Sequence, residues 1–275
     1  GDTLSGGDGF DTFVGGGGDD LLREDGFRSY DLTGGGLYHD NATDTGYLLS
    51  SGPLNSSAND SFRLEIEGLD GVKLMTAAIS FDASDAQVQT AIQALRQFDP
   101  LVYELTITRD TAPEPKITGV TMDFVNAYGG RDLGLSMTAY VGGVAQAVVT
   151  PVAGTRAGSR ESVTTIEAVE FSFDLDMPGW ANISGWGGTA TIIGSGRVDR
   201  VIIGANHSVD LGEGDDFVTV TDAGALSPQV TLTGGAGYDR ITASGQTTQF
   251  LTDTTLSFAT TGDAQKVYHA GFEDF

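Results

Sequence analysis

Between Ser61 and Val152 apolar and polar residues alternate in short runs, the period-two signature of half-buried strands. Phe62, Leu64 and Ile66 share one face of a strand, and residues 74–80 read as its hairpin partner across the turn Leu69-Asp70-Gly71. The period then switches. Val88, Ala91, Ile92 and Leu95 recur at i, i+3, i+4 and i+7, with Ser84 as N-cap and Gln87 three residues on, which predicts a helix over 85–98 halted by Asp99-Pro100. Strands over 101–109, 116–125, 133–141 and 144–152 complete a small α+β unit at 61–154.

On either side of that unit the pattern is different: nine-residue units carry an apolar residue at one fixed position in a background of glycine and aspartate, contiguous on the N-terminal side and 23 residues apart on the C-terminal side. Residues 6–14 (GGDGFDTFV) and 15–23 (GGGGDDLLR) superimpose, and both fit G-G-x-G-x-D-x-U-x, with U the apolar Phe13 or Leu22. Residues 211–219 (LGEGDDFVT) lack only the first glycine, and residues 234–242 (GGAGYDRIT) are complete, with Val218 and Ile241 at U. Asp2 and Leu4 fall on the aspartate and apolar positions of an incomplete earlier unit, so the sequence starts inside a repeat.

Each position has a physical reason. The paired glycines permit positive φ and close backbone approach, the aspartate supplies a carboxylate, and U points inward. Turn carbonyls and carboxylates together form a shell of hard oxygens suited to Ca2+, which takes six to eight such ligands. The candidate metal-binding residues are Asp2, Gly7, Gly9, Asp11, Gly16, Gly18, Asp20, Gly212, Gly214, Asp216, Gly235, Gly237 and Asp239. Residues 194–204 read as a degenerate turn one residue out of phase, in which Gly196 and Asp199 are weaker candidates.

These units resemble the RTX (repeats-in-toxin) family. The resemblance implies a parallel β-roll in which successive nonapeptides lie on opposite sheets and units two apart stack. On that rule Asp2 and Asp20 face one side and Asp11 the other, and the first sites are expected to be completed by residues before Gly1 or by a neighbouring subunit. Residues 81–92 (FDASDAQVQTAI) resemble a hairpin-then-helix repeat of large bacterial surface proteins, which implies a spacer or adhesive module over 61–152 with no catalytic residues. The expected organisation is mainly β: a β-roll segment at 1–31, a capping loop region at 32–60, the α+β spacer at 61–154, a β-rich connector at 155–203 and a second β-roll at 204–275. Within the connector, residues 163–175 read as a strand pair. The last residues, GFEDF, would run into the first, GDTLSGGDG, without breaking the pattern, which suggests one unit of a tandem or polymeric assembly.

Composition narrows the function. Lys+Arg 14 against Asp+Glu 38 gives a net charge of −24, which repels nucleic acid and anionic membranes and attracts divalent cations. Carboxylates crowded into turns repel one another, so folding there is expected to need the cation. No cysteine is present, which excludes disulfides, thiolate metal sites and cysteine nucleophiles. No apolar run reaches the roughly 20 residues of a membrane helix. Weak calcium sites favour an extracellular or bacterial cell-surface location, and the sequence reads as a piece of a longer secreted polypeptide.

Catalysis finds little support. His39, His207 and His269 lie in no metal-ligand spacing, and no nucleophile elbow or P-loop is present. Asp19/Asp20 and Asp215/Asp216 look like paired acids, but phase assigns Asp20 and Asp216 to the ligand position and leaves Asp19 and Asp215 as variable neighbours. His39, beside Asp40, reads as a surface histidine. Trp180 and Trp186, in PGWANISGWGG, read as plugs at a core edge, with sugar stacking as the alternative. The expectation is a calcium-stabilised extracellular structural module of a filament, sheath, surface layer or stalk, with copies of itself or adjacent repeats as partners. The alternatives are an adhesin module binding glycans or neighbouring cells, and the C-terminal secretion and folding part of an exported enzyme.

Overall fold

The computed structural model describes all residues except 7–11, 28, 34–35, 41–43, 57–59, 69–71, 96–97, 127, 129–132, 153–158, 165, 205–206, 222–229, 244–248, 253–254, 260–263 and 271–275. The chain divides into two compact units, residues 1–42 with 158–275, and residues 43–157.

The discontinuous unit opens with β1 (Thr3–Leu4), β2 (Thr12–Val14), β3 (Leu21–Phe27), β4 (Ser29–Thr33) and β5 (Gly36–Asp40). The inserted unit holds β6 (Asp44–Ser50), β7 (Ser61–Glu67), β8 (Lys73–Met75), β9 (Ile79–Ser80), α1 (Asp85–Gln93), β10 (Tyr103–Arg109), β11 (Ile117–Asn126), β12 (Met137–Val141) and β13 (Val144–Ala145). The chain then re-enters the first unit with β14 (Ser159–Thr164), β15 (Ala168–Phe173), β16 (Trp180–Asn182), β17 (Thr189–Ile193), β18 (Arg200–Ile203), β19 (His207–Asp210), β20 (Phe217–Val220), β21 (Val230–Thr233), β22 (Arg240–Ala243), β23 (Gln249–Thr252), β24 (Thr255–Ala259) and β25 (Ala264–Ala270).

The discontinuous unit is a parallel β-solenoid. Its strands form a nine-stranded sheet, ordered β1-β3-β15-β17-β19-β21-β25-β24-β23, and an eight-stranded sheet, ordered β2-β14-β5-β4-β16-β18-β20-β22; successive strands alternate between the two except at β4, β5 and β14, all in the smaller sheet, and at β23, β24 and β25, all in the larger, where antiparallel pairs interrupt the parallel coils. Two nonapeptides make one coil, so Thr3 pairs with Leu21 and Leu4 with Leu22. Alternation within each strand sends every second side chain inward. Leu22, Val169 and Ala190 thus line up from the nine-stranded sheet, and Ala181, Val201, Val218 and Ile241 from the eight-stranded one, all buried in a single core. Tyr30 enters that core on β4 and stacks on Phe171 with ring centroids 4.4 Å apart, while its hydroxyl donates to the Ser172 carbonyl at 2.7 Å.

Three expectations change. The two glycine-rich ends are not separate rolls, because strands from both lie in the same two sheets. Residues 155–203 are not a connector: β15 pairs in parallel with β3 and β17, so the solenoid runs through them. Residues 163–175 do not form a strand pair either, since β14 lies in one sheet and β15 in the other. Where the first glycine-rich segment meets the capping region, β4 and β5 form a hairpin. The insertion is accommodated at that hairpin: β5 leaves and β14 returns antiparallel beside it, with His39 opposite Ser159, and β14 then pairs in parallel with β2.

In the inserted unit β10, β11 and β6 form one sheet, and β13, β12, β7 and β8 another, with β9 also on β7. Phe62, Leu64 and Ile66 are buried on one face of β7 as the alternation requires. The Ser84–Gln87 capping box is present and Val88 and Ile92 are buried, but α1 ends at Gln93, earlier than predicted. There the Leu95 N–H turns back to the Ile92 carbonyl at 3.0 Å, tightening the last turn to three residues. The strand expected over 144–152 is reduced to Val144–Ala145 and an isolated bridge between Val152 and Leu48, and Val148 and Val152 are exposed. The turn at 69–71 lies outside the described residues.

Candidate metal centre

In the turn Gly15–Asp20, Gly16 and Gly18 have φ of 96° and 126°; Gly212 and Gly214 have 89° and 134°; Gly235 and Gly237 have 103° and 145°. These left-handed values are open to glycine and strained for other residues. The turns also stack closely. A β-carbon on Gly235 would lie 1.8 Å from the Gly212 carbonyl oxygen, and one on Gly237 1.6 Å from that of Gly214. Across this stack the Ala236 N–H donates to the Gly212 carbonyl at 2.8 Å, and the Gly214 N–H to the Ala236 carbonyl at 2.9 Å.

The sixth residue of each unit sits at the corner immediately before a strand, and there the carboxylates form two ladders. Before the nine-stranded sheet, the Asp2 N–H donates to Asp20 Oδ1 at 2.7 Å and the Asp20 N–H to Glu167 Oε2 at 3.0 Å. Before the eight-stranded sheet, the Gly179 N–H donates to Asp199 Oδ1 at 2.6 Å, the Asp199 N–H to Asp216 Oδ1 at 2.7 Å and the Asp216 N–H to Asp239 Oδ1 at 3.0 Å. Every carboxylate accepts from the coil before it. The spacing along the chain varies, 18 residues from Asp2 to Asp20, 17 from Asp199 to Asp216 and 23 from Asp216 to Asp239, because the extra residues are taken up between corners.

Asp20, Asp199, Asp216 and Asp239 are all buried. For Asp20 and Asp216 only one carboxylate oxygen has a role in the ladder: Oδ2 of each is buried with no hydrogen-bond partner among the described residues. A buried acceptor left this way costs roughly 1–3 kcal/mol, and more when charged. Burial pushes the Asp216 carboxyl far above its ordinary value, and the neighbouring Asp199 adds to the shift; Asp199 is raised less, again by burial. A cation at these corners would remove both penalties.

The donor set fits a hard cation. Among the described residues no three His, Cys, Asp or Glu side chains converge on one point, so a bound ion would take most of its ligands from backbone carbonyls, with one or two carboxylate oxygens. Carbonyl and carboxylate oxygens are what Ca2+ accepts. Gly16, Gly18 and Asp20 lie together at one corner, and Gly212, Gly214, Asp216, Gly235, Gly237 and Asp239 at another. Asp2 joins the first, exposed at its edge. Gly7, Gly9 and Asp11 lie outside the described residues.

No protein family, curated protein or solved structure matches the chain.

Two features escaped sequence reasoning. Glu167 fills the ladder position of the coil after the insertion, within TTIEAV, which has no glycine to mark it. The turn at 194–199 is in phase after all: a β-carbon on Gly212 would meet the Ser195 carbonyl at 2.7 Å and one on Gly214 that of Arg197 at 2.2 Å, so Ser195 and Arg197 stand at the two glycine positions and Asp199 at the aspartate. Trp180 opens β16 and is buried. Trp186 is half-buried against the core, its Nε1–H donating to the Thr189 carbonyl at 3.3 Å. The pair therefore forms no exposed platform for a sugar.

Proposed function

We propose that the solenoid is a calcium-stabilised structural segment of the RTX type, which serves outside the cell as a stiff stalk, sheath or filament element. The observation that carries this reading is the buried Oδ2 of Asp216, without a hydrogen-bond partner among the described residues and flanked by stacked turns whose glycines hold left-handed backbone. The repeat pattern in the sequence and the two-nonapeptide coil support it together. The net charge of −24 makes the apo chain self-repelling, and each divalent ion offsets part of that repulsion. Extracellular modules bind calcium in the roughly 10⁻⁴–10⁻³ M range, which suits sites built mainly from carbonyls.

The test is far-UV circular dichroism and thermal unfolding of the whole chain in chelator, in millimolar calcium and in millimolar magnesium. Calcium should raise the melting temperature of the solenoid and magnesium should not, because Mg2+ demands a tighter octahedral cage. Identical melting in all three conditions would refute the proposal.

A further inference from the structure

Of the turns that stack on the corner before the eight-stranded sheet, the one at 194–199 is built differently. Its second and fourth positions hold Ser195 and Arg197, and among the described non-glycine residues only Asn126 has positive φ. The backbone here therefore does not adopt the left-handed pair found at Gly212/Gly214 and Gly235/Gly237. The carboxylate is also treated differently. Asp199 is completely buried, and both of its oxygens accept from the chain: the Ser195 N–H donates to Oδ2 at 2.6 Å, while the Ser195 hydroxyl and the Gly179 N–H donate to Oδ1 at 2.8 and 2.6 Å. At Asp216 the corresponding second oxygen has no hydrogen-bond partner among the described residues.

The geometry points to Ser195 as the residue that closes this rung to the ion. Resting on the calcium reading above, the inference is that Asp199 ligates no cation, because the Ser195 N–H and hydroxyl supply the positive ends that an ion supplies at Asp216. The Gly194–Asp199 turn is then a cation-free coil placed next to cation-bearing ones, and Ser195 with Arg197 decides which turns of the corner are loaded.

The experiment is an ion count by native mass spectrometry at saturating calcium, on the whole chain and three variants. Asp199→Asn should bind as many ions as the wild type, whereas Asp216→Asn should bind one fewer. The double variant Ser195→Gly/Arg197→Gly, which restores both glycines and removes the hydroxyl, should bind one more. An ion lost in Asp199→Asn, or an unchanged count in a folded double variant, would overturn the inference while leaving calcium binding itself intact. A wild-type chain that binds no ion would overturn both. If the double variant does not fold, the comparison of Asp199→Asn with Asp216→Asn decides the question alone.

Discussion

The backbone N–H of Asp216 donates to the carboxylate of Asp239 one coil further on, and Asp216 in turn accepts from the N–H of Asp199. Each aspartate is thus both a rung of a hydrogen-bond ladder and a buried acid, and the two roles respond in opposite directions when its charge is removed. Asp216→Asn keeps the shape and the acceptor but removes the ionisable group. In chelator near neutral pH the variant should melt higher than the wild type, since folding no longer has to protonate or desolvate a carboxylate there. In calcium it should melt lower, since a ligand is gone. Differential scanning calorimetry in both buffers checks the crossover.

Acidity should act in the same sense. Burial pushes the Asp199 carboxyl up to about 7 and that of Asp216 up to about 10. A group whose folded value is raised binds its proton more tightly in the folded state, so its stabilisation is present at low pH and is lost as pH rises through the folded value. Without calcium the solenoid should therefore lose stability as pH rises from about 5 to about 9. Calcium binding at Asp216 must displace its proton, so the apparent affinity should rise with pH over the same interval. Melting curves and calcium titrations across pH check both slopes.

Gly237→Ala tests the stacked turns directly. At a φ of 145°, with a β-carbon placed 1.6 Å from the Gly214 carbonyl oxygen, alanine cannot be accommodated without moving the backbone of the adjacent coil. A loss of about 2 kcal/mol or more is expected, in chelator as well as in calcium. Gly17→Ala, at a position with open space around it and no left-handed requirement, should cost far less. Chemical denaturation of the two variants gives the comparison.

Tyr30→Phe isolates the polar part of the β4–β15 junction. The Tyr30 hydroxyl lies 2.7 Å from the Ser172 carbonyl and 3.0 Å from that of Glu24, and it accepts from the Phe27 N–H at 3.3 Å, while the ring stacks on Phe171. Removing the oxygen leaves these buried groups short of a partner but keeps the stack. A destabilisation of roughly 1–2 kcal/mol is expected, independent of calcium, and equilibrium unfolding measures it.

The part of this architecture that was readable in the sequence is the part fixed by local backbone constraint. Gly16, Gly18, Gly212, Gly214, Gly235 and Gly237 announce themselves because only glycine tolerates their φ, and Asp20, Asp216 and Asp239 follow at a fixed offset. The Ser84–Gln87 box is local in the same way. What stayed hidden depends on register between distant segments. Glu167 reaches Asp20 across 147 residues, and β14 pairs with β5 across the whole inserted segment, so no nearby residue records either pairing. Ser195 and Arg197 disguised an in-phase turn because they replace the two glycines that would have marked it. Trp180, by contrast, was readable as a core-edge plug, and its place at the head of β16 buries it.

The central claim is that stacked Gly–Asp turns hold a calcium ion against the buried oxygen of Asp216. Crystals grown in millimolar calcium, measured at a long wavelength where calcium scatters anomalously, would test it most directly. The account predicts an anomalous peak about 2.3–2.6 Å from Asp216 Oδ2, ringed by turn carbonyl oxygens. A well-ordered Asp216 with no such peak, its Oδ2 bonded instead to a water or a protein donor, would contradict it.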